Sequence, residues 1–130
     1  MLKVSKKIHC LRDPTRGGLA TTLNELAMQS KVGINIEEEK VAVHESVRAA
    51  CEFLGFDPLY VANEGKLVAI VPARNAEKIL KAMQQNLYGK ESTVIGEVVA
   101  EHPGIVTMKT ILGTSRIVDM LTGELLPRIC

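Results

Sequence analysis

Arg12-Asp13-Pro14-Thr15-Arg16-Gly17-Gly18-Leu19 is the stretch from which the rest of the chain is read. Asp13 has the short acceptor side chain of a helix N-cap, and Pro14 suits the first helical position, where no N–H is needed. Apolar residues then recur at Leu19, Leu23, Leu26, Ala27 and the Ser30/Val32 region, the spacing of one helical face. The sequence therefore predicts a helix that begins at Asp13. Gly17 and Gly18 stand out against it, because two glycines in the first turns cost about 2 kcal/mol of helix propensity relative to alanine. A close backbone or a ligand would require the missing side chains. Helix N-termini present unpaired N–H groups and partial positive charge, and Thr15 and Arg16 add donors. Asp13, Thr15, Arg16, Gly17 and Gly18 thus form a candidate anion- or nucleotide-binding segment. A tight helix crossing explains the glycines equally well but leaves Thr15 and Arg16 idle.

Downstream, Gly33-Ile34-Asn35-Ile36-Glu37 alternates as a half-buried strand. A second helix from Val43 carries Val47, Ala50/Cys51 and Leu54 on one side and ends at Gly55 and Pro58. Cys51 is most simply a small core residue there. Asn63-Glu64-Gly65 reads as a turn before the buried strand Leu67–Val71, which Pro72 closes. Ala76, Ile79, Leu80, Met83 and Leu87 define a third amphipathic helix. Val94–Val99, Gly104–Met108 and Arg116–Met120 follow as three closely spaced strands. Long crossovers between the early strands imply some parallel pairing, and the closing strands imply antiparallel hairpins. The expected fold is α+β, a mixed sheet of four to five strands with three packed helices. Residues 1–121 form the domain and residues 122–130 an extended C-terminal tail.

The tail ends in Pro127-Arg128-Ile129-Cys130. Pro127 fixes its own φ and biases Leu126 toward extended geometry, so the nine residues from Thr122 reach roughly 30 Å at ~3.3 Å each. That is far enough to carry the Cys130 sulfur into a pocket elsewhere. A frayed end that happens to finish in cysteine is the plain alternative. The run Met1–Cys10, with Lys3, Lys6 and Lys7, reads as a cut through a longer protein.

Composition narrows the function classes. The chain has 130 residues, one domain by size, and a core that must be aliphatic because it holds no Trp, two Phe and two Tyr. Sixteen basic residues against fifteen acidic ones leave no field to attract nucleic acid or an anionic membrane. No apolar run approaches a membrane span of ~18 residues. Three cysteines, at 10, 51 and 130, lack the spacing of a disulfide framework or a zinc site, and a reduced, cytoplasmic compartment fits best.

His9, Asp13-Pro14-Thr15-Arg16-Gly17-Gly18, Ala62-Asn63-Glu64-Gly65 and Pro127-Arg128-Ile129-Cys130 together resemble the C-terminal domain of the HypE family of hydrogenase maturation proteins. That family belongs to the superfamily of aminoimidazole ribonucleotide (AIR) synthetase, selenophosphate synthetase and thiamine monophosphate kinase. The Asp13–Gly18 motif is shared across the superfamily, whereas the ending Pro-Arg-Ile-Cys is specific to HypE. The resemblance runs over essentially the whole chain; the ATP-binding N-terminal domain of the family has no counterpart in it.

The resemblance implies a definite chemistry. HypF places a carbamoyl group on Cys130, and ATP, bound with Mg mostly by the N-terminal domain, activates the amide oxygen. Loss of phosphate leaves a thiocyanate on Cys130. Its cyanide goes to iron held by a HypC–HypD complex, for a [NiFe]-hydrogenase, and the full-length enzyme is a homodimer. A thiol near pKa 8.5 is only ~3% thiolate at pH 7. Dehydration also needs a base for the amide N–H, for which Glu64 and His9 are the candidates, while Asn63 joins Asp13, Thr15, Arg16, Gly17 and Gly18 in the nucleotide- or anion-binding set. A pure interaction module, or a fragment of another superfamily enzyme, is the other reading. His44 and His102 receive no role, and no metal site is assigned.

Overall fold

A computed structural model describes residues 1–122 of the chain. Its elements are β1 (Cys10–Arg12), α1 (Gly18–Ser30), β2 (Gly33–Glu37), α2 (Glu45–Leu54), β3 (Val68–Ile70), α3 (Ala73–Gln84), β4 (Gly96–Val99), β5 (Val106–Lys109) and β6 (Ser115–Ile117). The architecture is α+β, with a four-stranded mixed sheet and a separate two-stranded ribbon.

The alternation of β2 makes it the centre of the main sheet. Strand order is β4-β2-β5-β6. β2 runs antiparallel to β4 and parallel to β5, and β5 and β6 form an antiparallel hairpin. Ile34 lies opposite Val106 and Ile36 opposite Met108, so four apolar side chains share one face. All four are buried beneath Ala20, Leu23, Leu26 and Ala27 of α1, joined by Leu59 and Val118. Each large side chain so buried contributes roughly 1.5–3 kcal/mol. The opposite face is polar: Thr107 donates to Asn35 Oδ1 at 2.7 Å, with Glu37 and Lys109 alongside. One polar side chain ties the core together. Asn24 of α1, 6% exposed, donates to the carbonyls of Ala20 (2.9 Å) and Val118 (2.8 Å), the latter 94 positions away.

Three expectations are corrected. The first helix begins at Gly18 rather than Asp13. Gly17 and Gly18 both have positive φ, +69° and +64°, so no right-handed helix can run into them from Asp13. Instead of capping a helix, Asp13 accepts a hydrogen bond from Thr15 Oγ1 at 2.7 Å. A further strand, β1, pairs antiparallel with β3, Cys10 opposite Ile70 and Arg12 opposite Val68. The strand read at Leu67–Val71 therefore lies outside the main sheet. Finally, β4 and β5 are not neighbours; β2 is inserted between them.

The second helix starts at Glu45, two residues later than its apolar spacing suggests. Of its apolar stripe only Cys51 is buried, while Val47 and Leu54 are exposed. α2 sits beside the short turn Pro58–Tyr60, which Asp57 caps by accepting the Leu59 N–H at 2.9 Å. The tail assigned to residues 122–130 lies, beyond Thr122, outside the described residues.

Candidate functional site

β1 and β3 deliver the candidate residues. Antiparallel pairing sends the chain out of β1 into the Asp13–Gly18 loop at the same end of the ribbon from which β3 is entered through Asn63–Gly65. The two segments are stitched together there, with the Asn63 N–H donating to the Pro14 carbonyl at 3.1 Å. Arg12, the last residue of β1, holds Glu25 of α1 through a 2.8 Å ion pair, which fixes the loop between its two flanking elements.

Within the loop, Pro14, Gly17 and Gly18 are buried, Thr15 is half-buried, and Asp13 and Arg16 are exposed. The glycines answer to the chain itself. A Cβ on Gly18 would lie 2.6 Å from the Val61 carbonyl oxygen and 2.9 Å from the Tyr60 carbonyl carbon. A Cβ on Gly17 would lie 2.7 Å from Thr21 Cβ. The space over Gly18 is therefore filled by backbone carbonyls, which present negative rather than positive potential. Arg16 is the exposed cation of this loop, and the single Thr15 O–H is already donated to Asp13.

The Asp13 carboxyl is held below the ordinary carboxylate range. The largest cause is the Thr15 hydroxyl bond, followed by Asp13's own amide; partial desolvation opposes them, and the Arg12 charge adds a little. Thr15→Val removes the leading donor, so the Asp13 pKa should rise toward ~3.9 in a carboxyl-detected NMR titration. A lowered native pKa contributes stability that is fully present above the unfolded-state pKa and disappears as pH falls through the native one. An unchanged Asp13 titration in Thr15→Val would show that the hydrogen bond does not set it.

Glu64 is exposed at the tip of its turn, and Asn63 is half-buried. Lys66 reaches back to the Ala42 carbonyl at 3.2 Å, anchoring the far side of the turn to the segment before α2. His9 stands elsewhere. Its N–H donates to the Ile70 carbonyl at 2.9 Å, at the opposite end of the ribbon, four residues or ~13 Å of extended chain from Asp13. There it lines, with Cys10, a groove of about 1460 Å³ whose walls include Ile79 and Met83 of α3 and Ile95. No residue of Asp13–Gly18 or Asn63–Gly65 lines that groove. The structure thus brings Asp13, Thr15, Arg16, Gly17, Gly18, Asn63 and Glu64 into one loop pair and leaves His9 apart. Cys130 lies outside the described residues.

Sequence reasoning missed the segment that backs this loop pair. The Pro58–Tyr60 turn presses on Gly18 and is itself bonded to the end of the sheet. Asp57 and Arg116 form a 2.6 Å ion pair, and the Tyr60 hydroxyl donates to the Asp119 carbonyl at 3.0 Å. Burial raises the Tyr60 pKa, so its hydroxyl stays protonated as a donor. Asp57-Pro58, a capping residue before proline, was the available signal.

The family model described as "AIR synthase related protein, C-terminal domain" matches residues 1–109. The chain belongs to this family. The AIR synthase-related domain is 60% identical over all 130 residues to a protein named carbamoyl dehydratase HypE from Azotobacter vinelandii, covering 38% of that protein. A solved structure of hydrogenase maturation protein HypE in complex with ATP superimposes with a TM-score of 0.90 at 50% identity, over 100% of this chain and 40% of that one. A HypE–HypF complex matches with a TM-score of 0.85 at 52% identity, over 91% of this chain and 38% of that one. The domain therefore spans about two fifths of the length of the relatives it matches. Among the described residues, no helix is long and apolar enough to cross a membrane.

Proposed function

We propose that this chain is the C-terminal part of an ATP-dependent carbamoyl dehydratase of the HypE type, with residues 122–130 as a tail that carries the acceptor Cys130. The observation that carries this reading is the 60% identity to a carbamoyl dehydratase HypE, which extends through position 130. The Cys130 thiolate takes a carbamoyl group with HypF as donor enzyme. The thiocarbamate is then dehydrated: R–S–C(=O)–NH2 and ATP give R–S–C≡N, ADP and phosphate. The amide oxygen leaves with the phosphate, and both N–H protons are released.

The residues of this domain divide that work by position. Glu64, exposed on the turn bonded to the Pro14 carbonyl, is placed to accept an amide proton, and Asn63 holds the turn in place. His9 is the other base, on condition that the tail enters the groove at the far end of the ribbon. Arg16 offers a cation to a departing phosphate, and Thr15 offers its hydroxyl once that proton turns away from Asp13, with Gly17 and Gly18 shaping the loop. The remaining nucleotide contacts and Mg belong to the rest of the longer protein, as does most of its homodimer interface. A HypC–HypD complex takes the cyanide, in the reduced cytoplasm where a free thiol survives.

The test is intact-mass measurement of the full-length protein after incubation with HypF, carbamoyl phosphate and ATP. One carbamoyl is expected on the tail, followed by loss of one water. An unchanged mass would identify the chain as a module that docks on its partners without being modified.

A further inference from the structure

Two bonds tie the root of the C-terminal segment to the candidate site. β6 ends at Ile117, Val118 is buried, and the chain then runs through Asp119 to Thr122 toward Cys130. On the near side of that exit, Arg116 is clamped by Asp57 at 2.6 Å. On the far side, the Asp119 carbonyl accepts the Tyr60 hydroxyl at 3.0 Å, across 59 positions of sequence. Between them, the Val118 N–H donates to Val106 at 2.9 Å and its carbonyl accepts from Asn24 at 2.8 Å. Four consecutive residues, 116–119, are thereby held from three directions. Asp57 and Tyr60 bracket the same short turn whose Leu59–Val61 backbone lies against Gly18 and leads directly into Asn63-Glu64.

We infer that the Pro58–Tyr60 turn is a positioning device: through Asp57–Arg116 and Tyr60–Asp119 it fixes the direction in which the cysteine-bearing tail leaves the domain, in register with the Asp13–Gly18 and Asn63–Gly65 loops. This rests on the reading of Cys130 as the acceptor. Neither Tyr60 nor Arg116 touches the reacting atoms; each acts through where the tail starts. The eight residues from Gly123 to Cys130 span at most roughly 26 Å of chain, so the points Cys130 can reach are set by where and in which direction that length begins. Holding residues 116–119 fixes that starting point beside the loop pair, which favours encounter of the thiocarbamate with its base and phosphate donor. Misplacing a reacting group by about 1 Å can cost on the order of 100-fold in rate.

The experiment compares Tyr60→Phe/Arg116→Gln with wild type in the full-length protein, in two assays. In the first, the protein's own carbamoylated tail is converted to thiocyanate in a single turnover with ATP. In the second, a peptide ending in Leu-Leu-Pro-Arg-Ile and S-carbamoylcysteine is supplied to proteins lacking their own tail. The cis reaction should slow by roughly 10- to 100-fold. Carbamoylation by HypF and the trans reaction should stay within about twofold of wild type. A cis rate equal to wild type overturns the proposal. Equal loss in cis and in trans also overturns it, because the turn would then serve the domain rather than the tail. Failure of the wild-type protein to form thiocyanate at all refutes the acceptor reading beneath it.

Discussion

Gly18→Ala should lower the melting temperature of the 130-residue chain by roughly 6–20 °C. Two costs combine at this position. The backbone at φ +64° is left-handed, where a Cβ costs ~1–2 kcal/mol. The added methyl also points at fixed backbone, 2.6 Å from the Val61 oxygen and 2.9 Å from the Tyr60 carbonyl carbon, and such overpacking costs ~1–3 kcal/mol. A domain of this size loses about 3–4 °C per kcal/mol. Helix propensity alone forecasts the opposite, a gain of up to ~1 kcal/mol. Gly55→Ala is the control: its φ is +72°, but nothing lies within 4 Å of the added carbon. It should pay only the backbone strain, and melt nearer to wild type than Gly18→Ala. Equal melting of Gly18→Ala and wild type by circular dichroism would refute the packing account.

Cys130→Ser in the full-length protein should abolish modification altogether while leaving the melting temperature within about 1 °C of wild type. Replacing Cys130 with serine exchanges one sulfur for one oxygen at nearly the same size, so stability has little reason to change. Its chemistry does. Sulfur is ionised to a few per cent near neutral pH and is strongly nucleophilic, whereas a serine hydroxyl without an adjacent base is neither. Serine keeps nearly the same size and hydrogen bonding, so a tail that only docks would tolerate it. Undiminished carbamoyl transfer to Cys130→Ser, seen by peptide mass mapping, would move the acceptor site elsewhere.

Local patterns were legible wherever a face is buried by neighbours close in sequence. Ile34 and Ile36 alternate because one side of β2 meets α1, and Ile79 and Met83 repeat at helical spacing because one side of α3 faces the groove. What stayed hidden depends on partners far along the chain. β1 is three residues long, follows a lysine-rich run, and becomes a strand only through β3, 60 positions away. Asp13-Pro14 has every local mark of a helix start, yet two left-handed glycines override it, Gly18 because the Leu59–Val61 backbone needs the space and Gly17 because Thr21 does. In the same way the motif residues marked out the loop pair, while the clamp behind it, Tyr60 on Asp119 and Asp57 on Arg116, has no sequence period at all.

The parallel pairing of β2 with β5 has a consequence for how the domain is born. Ile34 waits for Val106, about 70 residues downstream, before the centre of its sheet can close. At the ~5–20 residues per second of ribosomal synthesis, that interval is roughly 4–14 s, during which the apolar stripe of α1 and the bare edges of β2 are made but uncovered. Nascent chains halted before β5 emerges should therefore be protease-sensitive and bind chaperones, and protection should arrive in one step once β5 and the Val118 anchor have cleared the exit tunnel.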